Sequence, residues 1–152
     1  NKGDGTFEEV TKLAGFGDTG VGRGTAVGDY NNDGSVDLYV VNSDKENILY
    51  SNNIGSRNNW VKIKLIGEDS NSYGIGSRVT IITGTSKQMY EITNSSGYLG
   101  GNGTDLLCGL GLYSNIDQII IDWPSGLSQQ LSNVDTNRTV VIKENKKHHY
   151  ME

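Results

Sequence analysis

The sequence predicts an all-β chain: one blade-like antiparallel sheet, then a small antiparallel β-sandwich or barrel. Three observations carry that expectation. No segment sustains a 3.6-residue apolar period, whereas two-residue alternation recurs along the chain. Runs of β-branched and aromatic residues are bounded by Gly-rich or Asn-rich breaks, as strands and turns are. The composition also suits short strands joined by many turns: 152 residues hold 21 Gly and 1 Pro, and 34% are hydrophobic.

The first unit is read as residues 1–55, with strands near 6–10, 24–28, 37–42 and 47–51. Asp37-Leu38-Tyr39-Val40-Val41 is its clearest strand signal. Asn1-Lys2-Gly3 is echoed by Asn53-Ile54-Gly55, a repeat length close to the ~40–50 residues of a propeller blade. A single small sheet exposes both faces, so this unit should dock on the next one.

The second unit is read as residues 56–144. In Trp60-Val61-Lys62-Ile63-Lys64-Leu65 the aliphatic residues face one way and the lysines the other. Arg78-Val79-Thr80-Ile81 and Met89-Tyr90-Glu91-Ile92 alternate likewise, and Ile119-Ile120-Ile121 and Thr139-Val140-Val141-Ile142 are β-branched runs. Trp123-Pro124-Ser125-Gly126 reads as a type I turn into a strand near Gln129–Leu131, with Pro second and Gly fourth. Residues 145–152 read as a polar tail.

Composition excludes several functions. One Cys, Cys108, makes neither an internal disulfide nor a cysteine-based zinc site. No run of about 18 apolar residues exists, so no transmembrane helix is expected. The net charge of −5 argues against a nucleic-acid partner. That charge is concentrated: residues 1–54 hold 9 acidic and 4 basic residues, and the rest of the chain is balanced. A cationic ligand belongs where the charge is. The N-terminus has neither a signal-peptide pattern nor an initiator Met, so the chain is expected to be a piece of something longer.

Asp29-Tyr30-Asn31-Asn32-Asp33-Gly34-Ser35-Val36-Asp37 is the one sharp motif. Oxygen side chains fall at loop positions 1, 3, 5 and 9 (Asp29, Asn31, Asp33 and Asp37), and the Ser35 carbonyl fills position 7. A hard cation such as Ca2+ takes about 6–8 oxygens, and three carboxylates in one short loop repel without one. Gly34 permits the sharp turn. Val40 stands where an EF-hand needs its bidentate Glu, and a strand rather than a helix follows, so the expected site is strand–loop–strand. The other reading of the same residues is an Asn/Asp-Gly turn that binds nothing. Asp4-Gly5 is taken as such a turn, and Asp18 as a further acidic loop position.

At these residues the chain resembles known families. Gly3-Asp4-Gly5-Thr6-Phe7, Gly28–Val40 and Leu49-Tyr50-Ser51-Asn52-Asn53 together resemble one FG-GAP/VCBS-type repeat, the blade of integrin-α-like propellers. Trp60–Leu65, Gly74-Ile75-Gly76-Ser77-Arg78-Val79, Ser96-Gly97-Tyr98-Leu99, Gly109-Leu110-Gly111 and Trp123-Pro124-Ser125-Gly126 are similar to the ASPIC/UnbV domain, which often follows such repeats. The resemblance implies Ca2+ held by Asp29, Asn31, Asp33, Ser35 and Asp37, with Asn31 standing where Asp is common. It implies a secreted or surface protein and no established catalysis. A closed propeller needs ~4–8 blades, which one repeat does not supply.

The function expected is therefore a non-enzymatic, extracellular, calcium-stabilised interaction or adhesion module, with a protein or glycan ligand and no membrane insertion. A glycan-binding reading uses Trp60, Trp123, Tyr90 and Tyr98 as stacking platforms. A hydrolase reading uses paired carboxylates such as Asp105 and Asp117. Cys108 is read as a structural thiol, Ser125 as a turn former and His148 and His149 as tail residues. Sequons begin at Asn94, Asn102 and Asn137.

Overall fold

The computed structural model describes residues 2, 4–53, 58–95, 97 and 100–145. The echo at Asn1/Gly3 and Ile54/Gly55, the boundary at Ser56–Arg57, residues Ser96, Tyr98 and Leu99, and the tail with His148 and His149 lie outside them.

Among the described residues, ten strands form three sheets and there is no helix. The first sheet joins β1 (Gly22–Gly28), β2 (Asp37–Asn42) and β3 (Ile48–Tyr50) as an antiparallel meander, with Tyr39 opposite both Ala26 and Leu49. The chain continues with β4 (Asn59–Ile66), β5 (Arg78–Thr83), β6 (Ser86–Glu91), β7 (Leu106–Gly111), β8 (Asn115–Asp122), β9 (Ser128–Asp135) and β10 (Arg138–Lys143). The second sheet has the order β10-β4-β7, and the third β6-β5-β8-β9.

These two sheets share one core. Alternation places Val61, Ile63 and Leu65 of β4 against Val79, Ile81, Ile119 and Ile121 of the facing sheet, closed by Cys108, Leu110 and Trp123. Burial of Cys108 pushes its thiol up to about 12, which suits a packing role rather than a nucleophile. The Trp123–Gly126 turn forms as expected: Gly126 N–H donates to the Trp123 carbonyl at 2.9 Å, and Gly126 has φ +82°.

Two expectations need correction. Residues 6–10 are not a strand, so the blade has three strands rather than four. Gly100 and Asn102 lie beside β1 instead: Gly100 lies against the Thr25 carbonyl, and Val27 N–H donates to Asn102 Oδ1 at 3.0 Å. The second unit is not wholly antiparallel, because β10 pairs parallel with β4. The chain leaves β9 in one sheet and enters β10 in the other through Thr136 and Asn137. Asn137 sets that crossing, its N–H donating to the Trp60 carbonyl at 2.6 Å while its Oδ1 accepts the Trp60 N–H at 3.1 Å. Of the two alternatives for this unit, sandwich or barrel, the sandwich forms: the two facing sheets pack around one core and, among the described residues, no barrel closes. Strand β7 carries little sequence signal, since two glycines interrupt Leu106–Gly111.

The two units differ in what they bury. Every residue of the apolar core lies between Val61 and Ile142. Among the described residues of the repeat, those buried are polar: Ser35, Asp37 and Asn42. The repeat is thus ordered by hydrogen bonding and by its contact with the sandwich, and its loop after β1 sits at that contact.

Candidate metal site at the β1–β2 loop

The loop from Asp29 to Val36 is wound around its own carboxylates. Asp29 Oδ1 accepts the Asp33 N–H at 2.9 Å, and Asp29 Oδ2 accepts the Gly34 N–H at 3.2 Å. Asn31 Oδ1 accepts the same Asp33 N–H at 3.1 Å, which brings the Asp29 and Asn31 oxygens to one donor. Asp33 Oδ1 accepts the Ser35 N–H at 2.8 Å, and Asp33 Oδ2 accepts the Asn31 amide at 2.8 Å. Those bonds, the Asn31 amide first, hold the half-buried Asp33 carboxyl below its ordinary range. Asp37, 2% exposed, closes the loop: its Oδ2 accepts the Tyr30 N–H at 3.1 Å and its Oδ1 the Asn52 N–H at 2.8 Å.

Two backbone features shape the turn. Asn32 and Gly34 both adopt the left-handed region, at φ +58° and +85°. Gly34 is required for a second reason. A Cβ there would overlap the Trp60 indole, which lies directly on the loop.

The donors fit a hard cation in kind. Each oxygen of Asp33 and Asp37 accepts one hydrogen bond and retains a second acceptor site, as does Asp29 Oδ1. The Ser35 hydroxyl is buried, 3% exposed, and has no hydrogen-bond partner. Asp29, Asn31, Asp33, the Ser35 carbonyl and Asp37 are the groups that would hold Ca2+. As the loop stands, its carboxylates are turned to backbone amides, and no three His, Cys, Asp or Glu among the described residues are gathered as a metal cluster.

A residue from the other unit enters the loop. Lys62 of β4 places Nζ 3.1 Å from Asp29 Oδ2 and 3.1 Å from Asn32 Oδ1. The pair is sheltered, the Asp29 side chain being 1% and the Lys62 side chain 16% exposed. The alternation of β4 marks Lys62 only as facing away from the core. Nothing in the sequence shows that this face meets the loop. Beside the pair runs a cleft of about 350 Å3, lined among others by Val27, Glu91, Asn102 and Asp105.

The remaining candidates are placed elsewhere. Asp4 is a turn residue, its Oδ1 accepting the Thr6 N–H at 2.9 Å. Asp18 pairs with Lys45 at 2.5 Å and accepts the Asn42 amide at 2.8 Å. Asp117 Oδ2 accepts the Gly84 N–H at 2.6 Å and does not line the cleft that holds Asp105. Trp123 is buried in the core and offers no stacking face.

One polar site was missed altogether. Glu144, 2% exposed, follows β10 and caps the 68–70 loop. Its Oε2 accepts the N–H groups of Glu68, Asp69 and Ser70 at 2.8, 3.0 and 2.8 Å. Its Oε1 accepts the hydroxyls of Ser70 and Ser125 at 2.9 and 2.5 Å. Burial alone would raise this carboxyl, but the Ser125 hydroxyl and the loop amides outweigh it and bring it down to about 2. Ser125 is the turn former the sequence indicates, and also half of this clasp.

The ASPIC and UnbV family model matches residues 67–149, more than half of the chain, and an FG-GAP-like repeat matches residues 1–40. The chain belongs to the ASPIC and UnbV family and carries an FG-GAP-like repeat before that domain. Such repeats are typical of extracellular and surface proteins. Comparison with curated proteins finds no match. No helix among the described residues is long and apolar enough to cross a membrane.

Proposed function

We propose that this chain is a non-enzymatic extracellular module in which Ca2+ bound at the β1–β2 loop stabilises the repeat, presenting a surface for a protein or glycan ligand. The observation that carries the reading is the loop itself. It holds three carboxylates, an amide oxygen and a buried, unpartnered Ser35 hydroxyl within nine residues, in the one part of the chain with excess negative charge. A repeat without an apolar core of its own gains most from such a tie.

Binding only to the folded state adds RT ln(1 + [Ca2+]/Kd). For the ~10⁻⁴–10⁻³ M range of extracellular modules, millimolar Ca2+ adds about 0.4–1.4 kcal/mol. The melting temperature should rise with CaCl2 and fall with chelator, and Mg2+ should substitute poorly. Asp33→Ala should abolish the response, and Asp4→Ala should leave it intact. Calorimetry that detects no Ca2+ binding at millimolar concentration would return the loop to an Asn/Asp-Gly turn.

A further inference from the structure

Lys62 occupies the place where charge compensation is needed. It comes from β4, the first strand of the sandwich, yet its ammonium stands on Asp29, loop position 1, and on Asn32. Asp29 Oδ2 accepts both that ammonium and the Gly34 N–H, which uses both of its acceptor sites. Both side chains are largely shielded from water, so screening there is low. A divalent cation held by the same carboxylate would stand a few ångströms from the ammonium, where like charges repel strongly.

We infer that Lys62 is an internal cation competing with Ca2+ for Asp29, so that filling the loop and holding the junction through this lysine oppose each other. The inference rests on the calcium reading above. Its consequence is reciprocal: the factor by which Lys62 lowers Ca2+ affinity equals the factor by which Ca2+ lowers the docking of Lys62. A lysine whose stem merely covers the face of β4 would have no such effect.

The test is calorimetric titration of CaCl2 into the whole chain as wild type, Lys62→Gln, Lys62→Met and Lys62→Arg, with thermal unfolding of each in chelator and in millimolar CaCl2. Removing the charge should tighten Ca2+ binding ~10-fold or more, within the usual range of site coupling, and Lys62→Arg should stay near wild type. In chelator Lys62→Gln should melt below wild type, and CaCl2 should close that gap. Lys62→Met retains the apolar stem and serves if the Gln variant does not fold. Binding by the charge-removed variants but not by wild type would also support the inference. Wild-type binding with equal or weaker binding by Gln and Met would overturn it and leave the calcium site standing. Binding by none of the four would overturn both.

Discussion

Glu144→Ala should destabilise the chain by roughly 2–4 kcal/mol, the range expected when several donors lose a buried, charged acceptor together. The carboxylate collects three consecutive backbone amides and two hydroxyls. Truncation leaves the amides of Glu68, Asp69 and Ser70 turned toward an empty space. Glu144→Gln should cost less, about 1–2 kcal/mol. Its carbonyl can still accept the amides, and the two hydroxyls can rotate to accept from its NH2 group. Urea unfolding at neutral pH measures both. The pH dependence separates charge from shape. The folded-state value is about 2 against an ordinary 4.5, so the carboxylate contributes stability above pH 4.5, which is lost as pH falls toward 2. The acid limb of the stability curve should be shallower in Glu144→Gln. Matching limbs in the two proteins would mean that Glu144 is not the group responsible.

Gly34→Ala should cost about 2–5 kcal/mol, and its effect should centre on the junction. A side chain at φ +85° is strained by ~1–2 kcal/mol. Overpacking adds ~1–3 kcal/mol, because the new Cβ overlaps the Trp60 indole. Either the loop or the indole must move. With two tryptophans in the chain and Trp123 buried, a red-shifted emission component in Gly34→Ala reports release of Trp60. Gly28→Ala is the control, since nothing lies within 4 Å of a Cβ placed there. Unchanged emission and stability in Gly34→Ala would show that the indole does not rest on the loop.

These two sites divide what was legible in the sequence from what was not. Alternation placed β4 and β5 to within a few residues, because one face of each is apolar and meets the core, and runs of β-branched and aromatic residues placed β2 and β8. Leu106–Gly111 escaped because its glycines break the pattern, although Cys108 and Leu110 are buried. Residues 6–10 carry Phe7 and Val10 but have no strand to pair with, and periodicity alone does not reveal a missing partner. The loop was legible because its spacing is local: Asp29 through Asp37 are close in the chain before they are close in space. Lys62, Trp60 and Glu144 act at long sequence separation. Lys62 reaches Asn32 across 30 residues, and Glu144 reaches Ser70 across 74. A lone lysine on an alternating strand and a lone glutamate after one carry no spacing signal, so their roles follow only from the topology.

The parallel pairing of β4 and β10 gives the sandwich a mechanical polarity. Strand β4 departs from the junction with the repeat, and β10 runs beside it in the same direction, Arg138 opposite Val61 through Lys143 opposite Ile66. Tension applied at Asn58 and Asn145 therefore draws the two strands past each other lengthwise. Evenly spaced parallel rungs share such a load, whereas a hairpin pulled at its open end yields one rung at a time. In single-molecule extension, handles at those two positions should meet a higher rupture force than handles at Asn115 and Asp135, which face each other at the open end of the β8–β9 pair. Equal forces would show that these rungs do not bear the load. A higher force at Asn58 and Asn145 would make β4 and β10 the load-bearing pair of the sandwich along its own strand direction.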